Sequence, residues 1–434
     1  MRYLTIIKKM KPNLFLIAVI LFLSSCKKEG LFYLSALEPE QREITMMVGE
    51  ETTLRVAKFS PYEPKDYELR WRIANSSTLI DLDSISGKVT AKAAGYAAVY
   101  IYFNGEHRGT CEIYIEGVFD EKNDVYLCGY SNSRPVYWKN GFVHTLNTTK
   151  EYWSVNPTAI DVYNDDVYVV GYANGNSNSD VVCWKNGEQI FSYEQGTSTK
   201  YKLFVDKNDF YILGFIRDPI IQKTAIWKNG ERTDFLLENG TRTHSIFVSY
   251  NDVYVAGETT YDLIPTSETT YLNCTIAKYW KNGQEICLTD SNSVAGAWDI
   301  AVVGEDVHVV GWKYENEIRV AKYWKNNEEF NLNGNASWSS DAHSIVVNRN
   351  DVYILGFQRI DTDSYIPVYW KNGIKTELEY EGDYLSPNNI AIANGDVYIA
   401  MSYEDYYFKN GEKIYFEKLY PDYPYVTGMK VVSK

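Results

Sequence analysis

The chain predicts an all-β fold, a small β-sandwich followed by a seven-bladed β-propeller of four-stranded antiparallel blades. Two observations carry that expectation. Tyr-Trp-Lys-Asn-Gly or a close variant recurs seven times beyond residue 118, and the Asp that opens each unit (Asp124, Asp166, Asp209, Asp252, Asp306, Asp351, Asp396) is spaced by 42, 43, 43, 54, 45 and 45 residues. A period of that size with four short strands per unit marks a propeller. Composition agrees, with 15% aromatic residues including 38 tyrosines, a mixture that suits strands joined by tight turns. At 434 residues the chain exceeds one ordinary domain.

The first element is a leader. "MRYLTIIKKMKPNLFLIAVILFLSSC" has a basic stretch (Lys8, Lys9, Lys11) and an apolar run from Leu14 to Leu23, about half of what spans a bilayer. Residues 1–25 therefore read as a signal peptide. Leu23-Ser24-Ser25-Cys26 resembles a bacterial lipobox. The resemblance implies that Cys26 is diacylated at sulfur, begins the mature protein and makes the lipid bilayer a partner. Lys27 follows in place of Asp, which by resemblance to lipoproteins of bacteria with two membranes implies the outer membrane, on its periplasmic or its cell-surface side. Residues 26–36 form the lipidated N-terminus and linker.

The second element, residues 37–117, lacks the repeated pentad. "VGEETTLRVAKF" (48–59) alternates into a strand, "YELRWRIANSS" (67–77) carries Trp71, and "SISGKVTAKAAGYAAVYIYFNG" (84–105) gives a Gly-centred turn and further strands. Gly49-Glu50-Glu51-Thr52-Thr53-Leu54, Trp71, Ser86-Gly87-Lys88-Val89-Thr90-Ala91 and Gly95 resemble the bacterial Ig-like domain of the second type. The resemblance implies a sandwich cored by Trp71, of the kind that serves as a stalk in adhesins and other surface proteins.

The third element, residues 118–434, is the ring. In blade two, strands are expected at 159–163, 167–172, 181–184 and 189–193, and Asn186-Gly187 turns the last hairpin because both residues tolerate positive φ. The recurring Asp is expected to accept hydrogen bonds from its own turn, and the recurring Trp (Phe408 in the last unit) to pack between blades. A Gly ending the second strand, at Gly129, Gly171, Gly214, Gly257, Gly311 and Gly356 with Ala400 in the seventh unit, implies close backbone approach. Blade one has only Val118-Phe119 as an inner strand, so the C-terminal segment, Met429–Val432, is expected to complete it.

The cysteines beyond Cys26 (Cys111, Cys128, Cys183, Cys274, Cys287) are odd in number and do not repeat with the units, so buried free thiols are expected rather than a disulfide framework. A net charge of −14 opposes a nucleic-acid partner.

Function is expected on the rim opposite the Lys-Asn-Gly turns, where loop length varies most, blade four carrying the longest insertion (258–274). Residues just before each inner strand are expected to form the channel mouth there. Tyr201, His244, Trp298, Asp299, His343 and Asn388 are the ligand-binding candidates: aromatic faces beside amides and a carboxylate suit sugars, whose C–H patches stack while their hydroxyls need directional partners. A glycan is the leading ligand and a surface protein the competing one, with Ig-like stalk and propeller forming a binding or adhesion module. A propeller-based carbohydrate-active enzyme and a scaffold of an outer-membrane complex are the alternatives. No nucleophile elbow or phosphate loop is present, no motif calls for a cofactor, and His244 with His343 lacks a third metal ligand.

Overall fold

The computed structural model describes residues 36–434 except 61–66, 75–78, 93–94, 117–119, 121, 176–178, 197–200, 208, 218–221, 236, 238–239, 266–270, 334–337, 362–363, 381–386 and 417–423. The expected leader, Cys26 and the inner strand at Val118-Phe119 lie outside the described residues. What is described is all-β.

The N-terminal part is a sandwich. One sheet is ordered Glu43–Met47, Glu106–Glu116, Gly95–Phe103, Leu69–Ile73, and the facing one Glu51–Thr53, Lys88–Ala91, Ile80–Leu82. The stretch at 48–59, expected as one strand, divides, Val56–Ser60 pairing instead with Ala36–Pro39. Trp71 is 3% exposed at the centre of the core. Gly87 has φ +72°, and a Cβ there would fall 2.7 Å from the Trp71 indole nitrogen, so this turn must be glycine for space and for backbone.

The ring has seven four-stranded antiparallel blades. Blade two runs Ser154–Tyr163, Asp166–Asn174, Ser179–Lys185, Glu188–Gly196, and the inner strand of each later blade starts near Lys202, Thr241, Ala295, Ser340 and Pro387. The C-terminal strand, Tyr425–Ser433, pairs with Asn123–Ser131 from Tyr130↔Tyr425 to Asn123↔Ser433 and so supplies the inner strand of blade one. This closure is the one expected, five residues longer than Met429–Val432.

Lys, Asn and Gly of the recurring motif each have a structural task. Asn186 and Gly187 have φ of 52° and 89°, the two positive values of the turn that matches strand twist. Asn186 accepts from the Val167 amide at 2.8 Å and donates to Asp166 at 2.9 Å, while Lys185 Nζ reaches Asp166 at 2.7 Å and lies 5.2 Å over the Tyr168 ring. The Asn-to-Asp bond recurs in every blade at 2.7 to 2.9 Å. The expectation that Asp accepts from its own turn is thereby corrected: it accepts from the neighbouring turn's Asn and Lys, fastening the two turns on one rim. These contacts, Lys185 foremost, hold the Asp166 carboxyl below the usual carboxylate range.

The recurring Trp packs between blades as expected. Trp138 joins a cluster with Tyr398, Ala400 and Tyr407 of blade seven, and Trp184 one with Tyr126 and Cys128 of blade one. Cys111, Cys128, Cys183 and Cys274 are buried free thiols, but Cys287 is exposed, because its short outer strand has no further strand to cover it. Tyr415, on the outer strand of blade seven, packs against both that blade's core and the sandwich core.

Candidate functional site

The inner strands carry a repeated irregularity that builds the site. In blades two, four, five, six and seven, and in the closing strand, pairing with the second strand skips one residue: Thr158, His244, Trp298, His343, Asn388 and Thr427 respectively. Such a bulge leaves one residue outside the ladder and re-aims its side chain. Sequence reasoning placed these residues ahead of the strands; they lie within them. In blade three Tyr201 directly precedes the strand Lys202–Asp206.

The recurring Gly makes room for this bulge. A Cβ on Gly129, Gly171, Gly257, Gly311 or Gly356 would lie 1.9 to 2.3 Å from a backbone carbonyl oxygen of the inner strand, and one on Gly214 would strike the Tyr201 ring at 2.2 Å. In blade seven the equivalent residue is Met401, opposite Pro387, and not Ala400, which pairs with Asn389. Spacing from the motif Asp gives the same answer.

The skipped residues converge on one cavity of about 860 Å³ at the channel mouth, lined from all seven blades. Of the candidates, Tyr201, His244, Trp298, His343 and Asn388 line it. Asp299 does not. Its carboxylate accepts from Ser245 Oγ at 2.6 Å and from the Ile345 amide at 2.9 Å, a tie across blades four, five and six that corrects its expected role. Asn388 is partly engaged, donating to the Val426 carbonyl at 2.9 Å.

Two aromatic groups face the cavity. In one, His244 and Trp298 have ring centroids 4.2 Å apart, Trp298 and His343 stack at 5.6 Å, and His343 meets Phe357 at 5.1 Å. In the other, Tyr425 stacks on Tyr130 at 4.9 Å and meets Tyr403 edge-on at 4.7 Å. Burial, with the Tyr403 hydroxyl adding to it, pushes the Tyr425 phenol up to about 12, so it remains a neutral hydrogen-bonding group.

Behind the histidines sit two buried carboxyls. His244 Nε2 bonds Glu258 Oε2 at 2.7 Å. Asp341 is 2.9 Å from the Arg319 guanidinium and 3.9 Å from His343 Nε2; burial raises its carboxyl to about 7, although Arg319 pulls the other way. Among the described residues no group of three or more His, Cys, Asp or Glu side chains could hold a metal ion.

Sequence reasoning missed part of the wall. Tyr130, Tyr172, Phe215 and Phe357 also line the cavity, and each immediately follows the recurring Gly. That Gly-aromatic pair was available as a periodic signal. Trp153, 76% exposed, and Trp338, 39% exposed, are outside the cavity lining. Tyr384 and Tyr423 lie outside the described residues.

No protein-family model matches the chain, and no curated protein matches it. Among solved structures it is similar to a prolyl endopeptidase, with 11% identity and a TM-score of 0.42 over 73% of this chain and 51% of the endopeptidase, so the chain spans about half of that protein's length. The β-propeller domain of the Trilobed protease from Pyrococcus furiosus, described as having an open velcro topology, is matched at 11% identity and TM-score 0.39 over 81% of this chain and 98% of that one. A mutant Aleuria aurantia lectin in complex with Fucα1-6GlcNAc is matched at 9% identity and TM-score 0.33 over 57% and 88%. The class that the strand order defines is a seven-bladed β-propeller preceded by a β-sandwich.

Proposed function

We propose that the protein is a glycan-binding module in which the cavity at the channel mouth takes the sugar. The observation that carries this reading is the lining: two aromatic groups together with Asn156, Asn388, Ser402, Thr158 and Thr427. Sugar rings stack their C–H faces on aromatic rings, and amides and hydroxyls give their hydroxyls directional partners. The rigid ring holds these groups in place before binding, so little ordering cost falls on association. Lipidation at Cys26, attachment to the outer membrane and a stalk role for the sandwich complete the proposal; they rest on the leader and on the Ig-like resemblance. The Tyr415 contact supports a stalk that holds the ring at a fixed angle.

The test is a glycan array probed with the purified protein. Binding to one sugar class, weakened at least ~10-fold by Trp298→Ala and by His343→Ala in folded variants, is the expected result. A blank array, or binding indifferent to both variants, would overturn the reading. For the anchor, palmitate labelling of the expressed chain is expected to vanish in Cys26→Ser; label that survives removes Cys26 as the site.

A further inference from the structure

The charge of the cavity wall runs against the charge of the chain. The protein carries −14 overall. Yet among the described residues that line the cavity, tyrosines aside, the ionisable side chains are Lys202, Arg242, His244 and His343, and neither Asp nor Glu is present. Two carboxyls stand behind the wall with partners of their own, Glu258 bonded to His244 at 2.7 Å and Asp341 2.9 Å from Arg319, and Asp299 is taken up by Ser245 and the Ile345 amide. Lys202 and Arg242 have no such compensation among the described carboxylates.

From this asymmetry we infer that the ligand is an anionic glycan, one bearing uronate carboxylates or ester sulfates. The inference rests on the glycan-binding reading and narrows its substrate class. Lys202 and Arg242 belong to neighbouring blades, three and four, at corresponding ends of their inner strands. Arg242 is exposed and presents a planar fork that pairs with a carboxylate or sulfate through two parallel hydrogen bonds, while Lys202 supplies a point charge. His244 beside them, its Nε2 held by Glu258, is fixed in orientation. Trp298 and His343 then offer the stacking face next to the cationic edge, an arrangement suited to a sugar ring that carries its charge on one side. The acidic remainder of the surface repels polyanions elsewhere, so charge directs such a ligand to the mouth of the ring.

The experiment is calorimetric titration of the full chain with four probes of matched length: oligogalacturonate, a sulfated galactan oligosaccharide, and neutral cello- and manno-oligosaccharides. At least one anionic probe is expected to bind ~10-fold or more tighter than either neutral one, with affinity falling steeply between about 0.02 and about 0.5 M NaCl. Lys202→Gln and Arg242→Gln are each expected to cost about 10-fold for the anionic probe and to leave the melting temperature unchanged. Uronate preference over sulfate, or the reverse, identifies the anionic group. Neutral probes binding as well as the charged ones, with the same dependence on Trp298, would overturn this inference and leave the glycan reading intact. Anionic binding that survives both Gln variants and high salt also overturns it. No binding by any probe or on the wider array overturns both.

Discussion

The backbone carbonyl oxygen of Asp341 lies 1.9 Å from the point that a β-carbon on Gly356 would occupy. This near-contact is what lets the inner strand of blade six bulge and send His343 to the cavity. Gly356→Ala must push the strands apart and is expected to cost about 3 kcal/mol. Gly373→Ala is the control: its φ is +81° and nothing lies within 4 Å, so only backbone strain of about 1 kcal/mol applies. Urea unfolding of the two variants checks this, and equal losses would remove the steric account of the recurring glycine.

The turn lattice makes a second prediction. Asn140 has φ 52°, accepts from the Val125 amide at 2.9 Å and donates to Asp124 at 2.8 Å. Asn140→Gly keeps the backbone permissive and deletes both bonds, for an expected loss of about 1.5 kcal/mol. Combined with Asp124→Ala the loss should be less than the sum of the two single changes by about 0.5 kcal/mol, because both remove the same bond. Strict additivity in denaturant melts would show that Asp124 and Asn140 act independently.

How much of this was legible depended on whether the cause was local. Asn-Gly turns and blade number could be read because a positive-φ turn is specified by two adjacent residues. The closing strand could be read because a ring cannot leave one blade short. The partner of the recurring Asp could not, since it lies 14 to 30 residues away across a hairpin whose register fixes the contact. Asp299 looked like its neighbour Trp298 in sequence, yet the bulge ends between them: Trp298 is outside the ladder and lines the cavity, whereas Asp299 pairs with Val310 and ties three blades together. Bulges give no direct sequence signal, so the alignment of repeats found the skipped residues but not the register that separates Trp298 from Asp299.

Closure predicts a large effect from a small deletion. Tyr425–Ser433 supplies every inner-strand hydrogen bond of blade one and buries Val426, Met429 and Val431 in the cluster around Trp138. Removing residues 425–434 exposes that cluster and leaves Asn123–Ser131 as an open edge. The first cooperative transition in calorimetry is expected to fall by ten degrees or more, on the order of 5 kcal/mol. A shift of only a degree or two would mean that the ring does not depend on this strand.

Asp341 makes stability depend on pH in the direction opposite to most carboxylates. Its carboxyl titrates near 7 in the folded chain against a reference of 3.8, because burial penalises the charged form. A raised carboxyl pKa means that the folded state holds its proton longer than the unfolded state does. The associated stabilisation is therefore complete below about pH 4 and is lost as pH rises towards 7. Asp341→Asn cannot titrate, so its unfolding free energy should gain on that of the parent as pH rises from 4 to 8, by at most about 4 kcal/mol for this shift, measured by urea unfolding. Arg319, left without its carboxylate in this variant, has a side chain 32% exposed that water can reach. His343 stands 3.9 Å away, so the comparison is repeated in a His343→Gln background. If the gap between Asp341→Asn and its parent stays constant from pH 4 to 8 in both backgrounds, Asp341 is ionised throughout and the buried carboxyl is held by Arg319 alone.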